Sequence, residues 1–399
     1  MKVVITAMEV GKTNGGKGRY TLCILRGLVP QLKSHGCEVT ILAAKDAPLG
    51  FFEPYARIVR LPVPKNTGIW RAVWEEVYFP LYAWGADVYL SMNGVLPLGP
   101  LRSKRNMVVF YDIHPVQHQA DPKQYPGQYS RKNLLRACYA MKKAARDAHQ
   151  IVTISDSTTQ ELQTFLGVPR NRMVVIPCGV EHDVFHPQDS ARIDKLRKRY
   201  RLPEEFYLFI GIPNAEAGDK KNLHLIVETY AQAQQPEKYF LPVVIAGGER
   251  AGQRSEPVEV ALGGPAARGR FLYLGFVPDE DFAALYAAAR ALIFPSFHEG
   301  FGIPPLEAMA CGTPVIAANR PAIPEVVGDA ALLIDPASPE SLREALRQVN
   351  EAGVRQELIA KGFERARLFS WERGAEVMLR IILGTEPDAF LSTKAGARP

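Results

Sequence analysis

Residues 291–318 read ALIFPSFHEGFGIPPLEAMACGTPVIAA. An apolar run from Ala291 to Ser296 gives way to glycines and then to Pro304-Pro305, and a second apolar run follows from Pro314. Proline suits the first turn of a helix, where its missing N–H would have had no partner, and Gly312 suits the end. The spacing predicts strand, helix, strand, with Gly300–Ile303 leading into a helix N-terminus at a strand's carboxyl end. The N–H groups exposed there favour an anion. Two acids bracket the turn: Glu299 before it, and Glu307, expected in the first helical turn and facing either a cleft or solvent. A carboxylate in a first turn has a plain explanation, since it steadies the helix dipole by about 0.3–1 kcal/mol. That explanation does not account for the Glu-Gly-Phe-Gly run at 299–302.

The same alternation extends through the chain. Strands are predicted at 2–8, 38–44, 87–93, 106–113, 151–156 and 173–179, and again at 207–212, 242–248, 271–277, 291–296, 314–318 and 331–336. Helical patterns separate them, such as Arg19 to Lys33, with Tyr20, Cys23, Ile24, Gly27 and Leu28 on one face. Strands apolar throughout, alternating with helices, mean parallel sheets covered on both faces. Such open sheets bind ligands at the carboxyl ends of their strands. The stretch near 183–200 is polar, charged and without a strand, and it separates the two halves. The expected fold class is α/β, with two Rossmann-like doubly wound domains, 1–185 and 200–370, facing a central cleft. A last helix, 371–384, starts behind a plausible N-cap, Ser370, and is expected to pack back on the first domain. The tail, 385–399, is expected to be disordered.

Composition narrows the function classes. A chain of 399 residues has room for two domains, and its net charge of +6 is mildly basic. That favours an anionic ligand or an acidic membrane surface, and it is too scattered for nucleic acid. The five cysteines are dispersed and no two form a Cys-x-x-Cys pair, which argues against a disulfide framework or structural zinc and fits a reducing cytoplasm. The N-terminus reads as a first strand rather than a signal peptide. No apolar run reaches the roughly 18–20 residues of a membrane span.

Three further stretches carry chemistry. EVGKTNGGKGRY, 9–20, follows a strand and precedes a helix, so Gly15 and Gly16 would let backbone N–H groups approach a phosphate. Its Gly-x4-Gly-Lys spacing imitates a P-loop, but Gly18 stands where a P-loop needs Ser or Thr for magnesium. GIPNAEAGDKKNLHL, 211–225, follows another strand, and Asn222 is a suitable N-cap that places Lys221 just outside a helix N-terminus. A lysine there can hold a diphosphate, although alone it would pass for an exposed loop residue. VVFYDIHPVQHQAD, 108–121, sets Tyr111, Asp112, His114 and His118 past a strand end, a candidate acceptor side. No acidic pair of the Asp-x-Asp kind stands at a strand end, so no metal ligands are assigned.

Taken together, these motifs resemble the retaining GT-B glycosyltransferases of family four. SFHEGFGIPPLEAMACGTPVIAANRPAIPEVVGDAALLIDP is similar to that family's signature region, with seven residues between its two glutamates, Glu299 and Glu307. NGGKGRYTLCILRGL, VTISDSTTQEL, VVIPCGVEHDVFHP, KKNLHLIVETY and YLGFVPDEDFAALYAAARALIFPS resemble other segments in the family's order, over roughly residues 2–384. WEEVYFPLYAWGADVYLSMNGVLPL is similar to mannosyl- and rhamnosyltransferase-like members of surface-polysaccharide pathways.

The resemblance implies roles. Glu307 would bond the nucleotide ribose and Glu299 the hydroxyls of the donor sugar. The backbone of Phe301, Gly302 and Ile303 would meet sugar and diphosphate, Lys221 would hold the diphosphate, and the Gly15-Gly16 loop would approach it. Val277 would lie against the base. Two departures stand out. The loop 213–219 lacks the family's arginine upstream of the lysine, leaving Lys220 as the second phosphate contact. Tyr111 replaces a histidine, with His114 three residues on.

The expectation is a hexosyltransferase that needs no cofactor or metal. It would take a GDP- or UDP-linked sugar as co-substrate and a saccharide or lipid-linked acceptor. It would not bind nucleic acid, and it would be cytoplasmic with peripheral contact at the inner membrane face. A disaccharide synthase or glycogen-synthase-like enzyme of the same fold is the alternative; a P-loop-like nucleotide-binding module or an inactive sugar-binding subunit would be a different class.

Overall fold

The computed structural model describes residues 1–11, 15–62, 73–122, 125, 127, 129–211, 219–233, 238–248 and 269–385. The chain divides into two units: one joins Met1–Gly179 to the segment that follows Ser370, and the other runs from Val180 to Phe369.

The first unit is built on β1 (Lys2–Thr6), β2 (Glu38–Ala44), β3 (Arg57–Leu61), β4 (Val88–Ser91), β5 (Arg105–Phe110), β6 (Gln150–Thr153) and β7 (Met173–Val175). They form one parallel sheet in the order β3-β2-β1-β4-β5-β6-β7. The central strands are buried on both faces, which is why they read as unbroken apolar runs. β3 was not expected. Its sequence RIVRL alternates charge with bulk because it is an edge strand, half-exposed along most of its length. The helices of this unit are α1 (Gly16–Ser34), α2 (Phe79–Ala83, continuing a π-turn at Trp74–Tyr78), α3 (His114–Ala120), α4 (Arg131–Asp147) and α5 (Asp156–Leu166).

The second unit repeats the plan with β8 (Tyr207–Ile210), β9 (Val243–Ala246), β10 (Phe271–Gly275), β11 (Ala291–Phe294), β12 (Val315–Ala318) and β13 (Ala331–Ile334). They run parallel in the order β10-β9-β8-β11-β12-β13. Its helices are α6 (Ser190–Tyr200), α7 (Leu223–Gln232), α8 (Asp279–Ala288), α9 (Ile303–Ala310), α10 (Ile323–Val327), α11 (Pro339–Val349) and α12 (Ala352–Arg367). α6 occupies the stretch expected to separate the halves. Its N-terminus is capped by Asp189, whose carboxylate accepts from the Arg192 N–H at 2.7 Å, and Tyr200 donates to Asp281 of α8 at 2.6 Å. The unit boundary therefore falls at Gly179/Val180, ahead of this helix.

A last helix, α13 (Trp371–Leu383), returns to the first unit. The Ser370 hydroxyl accepts from the Arg373 N–H. Small residues let α13 approach α1 closely: a Cβ built on Gly27 would stand 2.7 Å from that of Ala375. Trp371 packs edge-on to Tyr20, with centroids 5.6 Å apart. The tail beyond Thr385 lies outside the described residues, as does the loop 212–218.

Several expected strands end earlier than the sequence suggests, at Ser91, Phe110, Thr153 and Val175. The apolar run overshoots because the residues just past each strand are buried too; Asp156, assigned to a strand, is the first residue of α5, whose N-cap is Ser155. In both sheets the strand order reverses next to the first strand, between β1 and β4 and between β8 and β11. In open α/β sheets that reversal opens a crevice at the carboxyl ends, where ligands bind.

Candidate functional site

In the second unit the reversal between β8 and β11 brings together the segments after those strands. Lys221, before α7, and Glu299, before α9, form an ion pair with Nζ 2.8 Å from Oε1. The Lys221 ammonium also lies 4.9 Å from the centre of the Phe294 ring at the end of β11. Burial pushes the Glu299 carboxyl up, but the charges of Lys221 and Lys220 more than offset it, and it sits below the usual carboxylate range. The two loops are tied through backbone as well, since the Phe297 N–H donates to the Lys220 carbonyl at 3.0 Å.

The turn carrying the lysines is organised by Asp219, which the sequence did not single out, and by Asn222, which plays another part than expected. Asp219 accepts from the Lys221 N–H at 3.1 Å, and burial raises its carboxyl although nearby backbone N–H groups oppose the shift. Asn222 was expected to cap α7 through its side chain, and it does not. It is left-handed, φ 57°, and its buried amide donates instead to the carbonyls of Pro295 and Pro336 at 3.1 and 2.8 Å. The amide thus braces the ends of β11 and β13 against the lysine turn. Both acceptors are buried carbonyls, where an unmet hydrogen bond is costly.

α9 starts as its prolines demand, with Ile303 and Pro304 in its first turn and Gly302 at the N-cap. Gly302 has φ 116°, a region disfavoured for side chains, and a Cβ there would come within 2.8 Å of Ile323. No side chain caps this end, so its N–H groups are left for the space in front of the turn. Phe301 is buried, its ring edge-on to Phe369 at 5.7 Å. The helix closes in a Schellman arrangement: the Gly312 N–H donates to Met309 and the Thr313 N–H to Ala308, with Gly312 left-handed at φ 79°.

Glu307 corrects an expectation. It lies beyond the first turn, is only 5% exposed, and its Oε2 accepts from the Tyr286 hydroxyl at 2.8 Å. Dipole stabilisation therefore does not explain this acid. Tyr286, from α8, is itself anchored, since its carbonyl accepts from the Thr313 hydroxyl at 2.7 Å. It was missed because it reads as one more apolar position of an alanine-rich helix. Val277 is buried in the loop between β10 and α8.

In the first unit, Gly15 is the N-cap of α1 and Gly16 its first residue; both are exposed, and a Cβ on either would meet nothing within 4 Å. Lys17 of α1 stands 3.5 Å from Asp112, past the end of β5. Tyr111 turns inward. Its hydroxyl lies 3.0 Å from that of Thr21 and donates to the Met92 carbonyl at 2.9 Å, and burial raises its pKa. It supports α1 from beneath rather than facing an acceptor. His114 opens α3, with Nδ1 2.7 Å from the hydroxyl of Tyr129, a residue not foreseen. Burial and the charge of Asp112 push the Tyr129 phenol up to about 12. Asp112, His114 and Tyr129 thus gather beside the α1 N-terminus, while Tyr111 lies under it. Lys12–Asn14 fall outside the described residues.

Two family profiles cover most of the chain: residues 15–184 match Glycosyltransferase Family 4 and residues 192–365 match Glycosyl transferases group 1. The O-antigen chain mannosyltransferase B of Escherichia coli is 31% identical over 279 residues, 68% of this chain and 68% of that protein. The chain belongs to this glycosyltransferase family. The serotype-specific mannosyltransferase WbdA of the same organism is 30% identical over 234 residues, 58% of this chain, which spans only 28% of that longer protein. In fold, the glycosyltransferase is similar to sucrose-phosphate synthase of Thermosynechococcus elongatus, at a TM-score of 0.71 and 21% identity over 96% of this chain and 98% of the other. It is an enzyme of the GT-B fold that takes its sugar from a nucleotide diphosphate. The P-loop reading of residues 11–17 falls with this. Among the described residues no group of three or more His, Cys, Asp or Glu is placed to hold a metal ion.

Proposed function

We propose that this glycosyltransferase retains anomeric configuration and transfers a hexose from a GDP- or UDP-linked donor to a saccharide or lipid-linked hydroxyl, in the synthesis of a surface polysaccharide or glycolipid at the cytoplasmic side of a membrane. The likeness to mannosyltransferases supports mannose as the sugar. The observation that carries the reading is the Lys221–Glu299 pair at the point where the strand order of the second sheet reverses, beside an uncapped helix N-terminus.

The roles follow from charge and geometry. Lys221, assisted by Lys220 and the N–H groups that open α9, takes the negative charge of the diphosphate. These donors act most strongly as the leaving group gains charge. Glu299 orders the donor sugar by accepting from its hydroxyls, and Glu307, held by Tyr286, accepts from the ribose. The backbone from Phe301 to Ile303 passes the sugar, and Val277 lies toward the base. Within the first unit, the Gly15-Gly16 turn offers N–H groups to an anion, and Asp112 and His114 are assigned to the acceptor. In the transfer the bond from the anomeric carbon to the diphosphate oxygen breaks, its electron pair leaving with the diphosphate. The acceptor oxygen bonds to that carbon from the same face, and its proton passes to a phosphate oxygen.

The test compares two variants with proton NMR of the product. Glu299→Ala abolishes most turnover with native-like folding, whereas Glu307→Ala chiefly weakens nucleotide binding. An α-linked donor gives an α-linked product. Normal turnover in both variants, or an inverted product, rejects the reading.

A further inference from the structure

Of the polar side chains that follow β5, His118 has no part in the reading above. It stands one turn after His114 on α3, so the two imidazoles share a face of that helix. Their rings lie nearly parallel, with planes 20° apart and centroids at 6.4 Å. His114 is buried and His118 half-buried. Each ring gives its Nδ1 to the segment after the helix. His118 Nδ1 lies 2.8 Å from the Tyr125 carbonyl oxygen, and His114 Nδ1 lies 2.7 Å from the Tyr129 hydroxyl.

These partners are themselves held. The Tyr125 N–H donates to the Asp121 carbonyl at 3.0 Å, and the Tyr125 ring packs edge-on to Phe165 of α5 at 5.9 Å. The Tyr129 ring sits beside both histidines, with centroids 5.8 Å from His114 and 5.1 Å from His118. Gly127 lets the chain pass this close, since a Cβ there would come within 2.9 Å of His114 Cε1 and 2.8 Å of the Tyr129 ring. The two partners differ in kind, and that decides where the protons are. A carbonyl oxygen only accepts, so His118 carries a hydrogen on Nδ1, and the neutral ring keeps its lone pair on Nε2. A phenol gives a hydrogen bond more readily than it takes one, and an imidazole nitrogen is the better acceptor. The Tyr129 hydroxyl therefore donates to His114 Nδ1, and that neutral ring has its hydrogen on Nε2.

We propose that His114 and His118 are fixed in opposite tautomers and together bind neighbouring hydroxyls of the acceptor, His114 Nε2–H donating to one and His118 Nε2 accepting from the other. Tyr129 is the positioning residue for His114, and the Tyr125 carbonyl does the same for His118. Both rings turn Nδ1 to one segment and lie almost parallel, which sets their Nε2 edges away from it together. A sugar hydroxyl has both a proton to give and lone pairs to offer, and so matches a donor beside an acceptor. A group that only accepts, such as a carboxylate, meets a lone pair at His118. The role of the pair rests on the acceptor-side reading of His114 above; the tautomers do not.

The experiment is two-bond proton–nitrogen NMR of the full chain carrying isotope-labelled histidine, with resonances assigned through His114→Gln and His118→Gln, first free and then with octyl α-mannoside. In the free chain His114 is expected to show the protonated nitrogen at Nε2 and His118 at Nδ1. Tyr129→Phe turns the His114 pattern into a mixture of tautomers and leaves that of His118, which also reports that the variant is folded. The same tautomer in both rings, or a His114 pattern unmoved by Tyr129→Phe, overturns the assignment whatever the acceptor is. Octyl α-mannoside is expected to move both Nε2 resonances. His118→Leu weakens its binding about tenfold, while His118→Gln, whose amide oxygen can accept in place of Nε2, stays closer to the parent. Opposite tautomers with neither Nε2 responding, or undiminished binding by His118→Leu, overturn the hydroxyl site alone. Failure of the tautomers and failure of the acceptor-side reading are thereby told apart.

Discussion

At the residue scale the proposed donor site depends on how two carboxylates are held. Glu307 is buried and receives the Tyr286 hydroxyl, so Tyr286→Phe removes a donor from a desolvated carboxylate. A loss of about 1–3 kcal/mol in stability is expected, read by denaturant unfolding, together with weaker nucleotide binding. Glu299 behaves differently, because its carboxyl is lower in the folded chain than in the unfolded one. A depressed carboxyl stabilises the fold at pH above its unfolded value, and that contribution disappears as pH falls through the folded value. Thermal unfolding of the parent should therefore exceed that of Glu299→Gln by a constant margin at neutral pH. The margin should close only in acid, below the usual carboxylate range; a margin unchanged there would contradict the ion pair's contribution. Both glutamates stood out in the sequence because their spacing around glycine and proline is unusual, whereas Lys221 alone would pass for an exposed loop residue. Tyr286, Asp219 and Tyr129 did not, because what marks them is a partner 15 or more residues away or a turn of backbone, and neither leaves a local pattern.

At the element scale, what matters is the start of α9 and the brace across the strand ends. Gly302 holds a backbone conformation closed to side chains, and Ile323 occupies the space where a Cβ would stand. Gly302→Ala is expected to cost about 1–3 kcal/mol and to misdirect the N–H groups proposed to meet the diphosphate. Calorimetry should show weakened nucleotide binding even where the variant remains folded; a variant with unaltered stability and affinity would show the turn to be permissive. The strand–helix–strand reading of 291–318 holds because every local cue, the apolar runs, the prolines and Gly312, agrees with the fold. Asn222 shows where such cues mislead: a good capping residue in sequence spends its amide on two distant carbonyls. β3 shows another limit, since an edge strand need not be apolar. α6 escaped because a basic amphipathic helix and a charged linker have similar composition, and only its packing on α8 distinguishes them.

At the scale of the whole molecule, each unit is an open parallel sheet whose strand order reverses once, and in each the reversal gathers the chemically distinctive side chains: Lys17, Asp112 and His114 in the first, Lys221, Glu299 and Glu307 in the second. The chain passes between the units at Gly179/Val180 and returns at Phe369/Ser370. The doubly wound plan was legible because strands buried on both faces read as apolar runs, whereas the point of return depends on α13 fitting the small residues of α1. Lys221 is the residue through which the second unit is proposed to hold a diphosphate. Titration calorimetry of GDP, UDP and the parent nucleosides against the native chain and Lys221→Gln tests it most directly. Loss of a charge-assisted contact worth about 1.5–3 kcal/mol predicts at least a tenfold weaker affinity for the preferred diphosphate and no change for its nucleoside. Equal diphosphate affinity in the two proteins would contradict it.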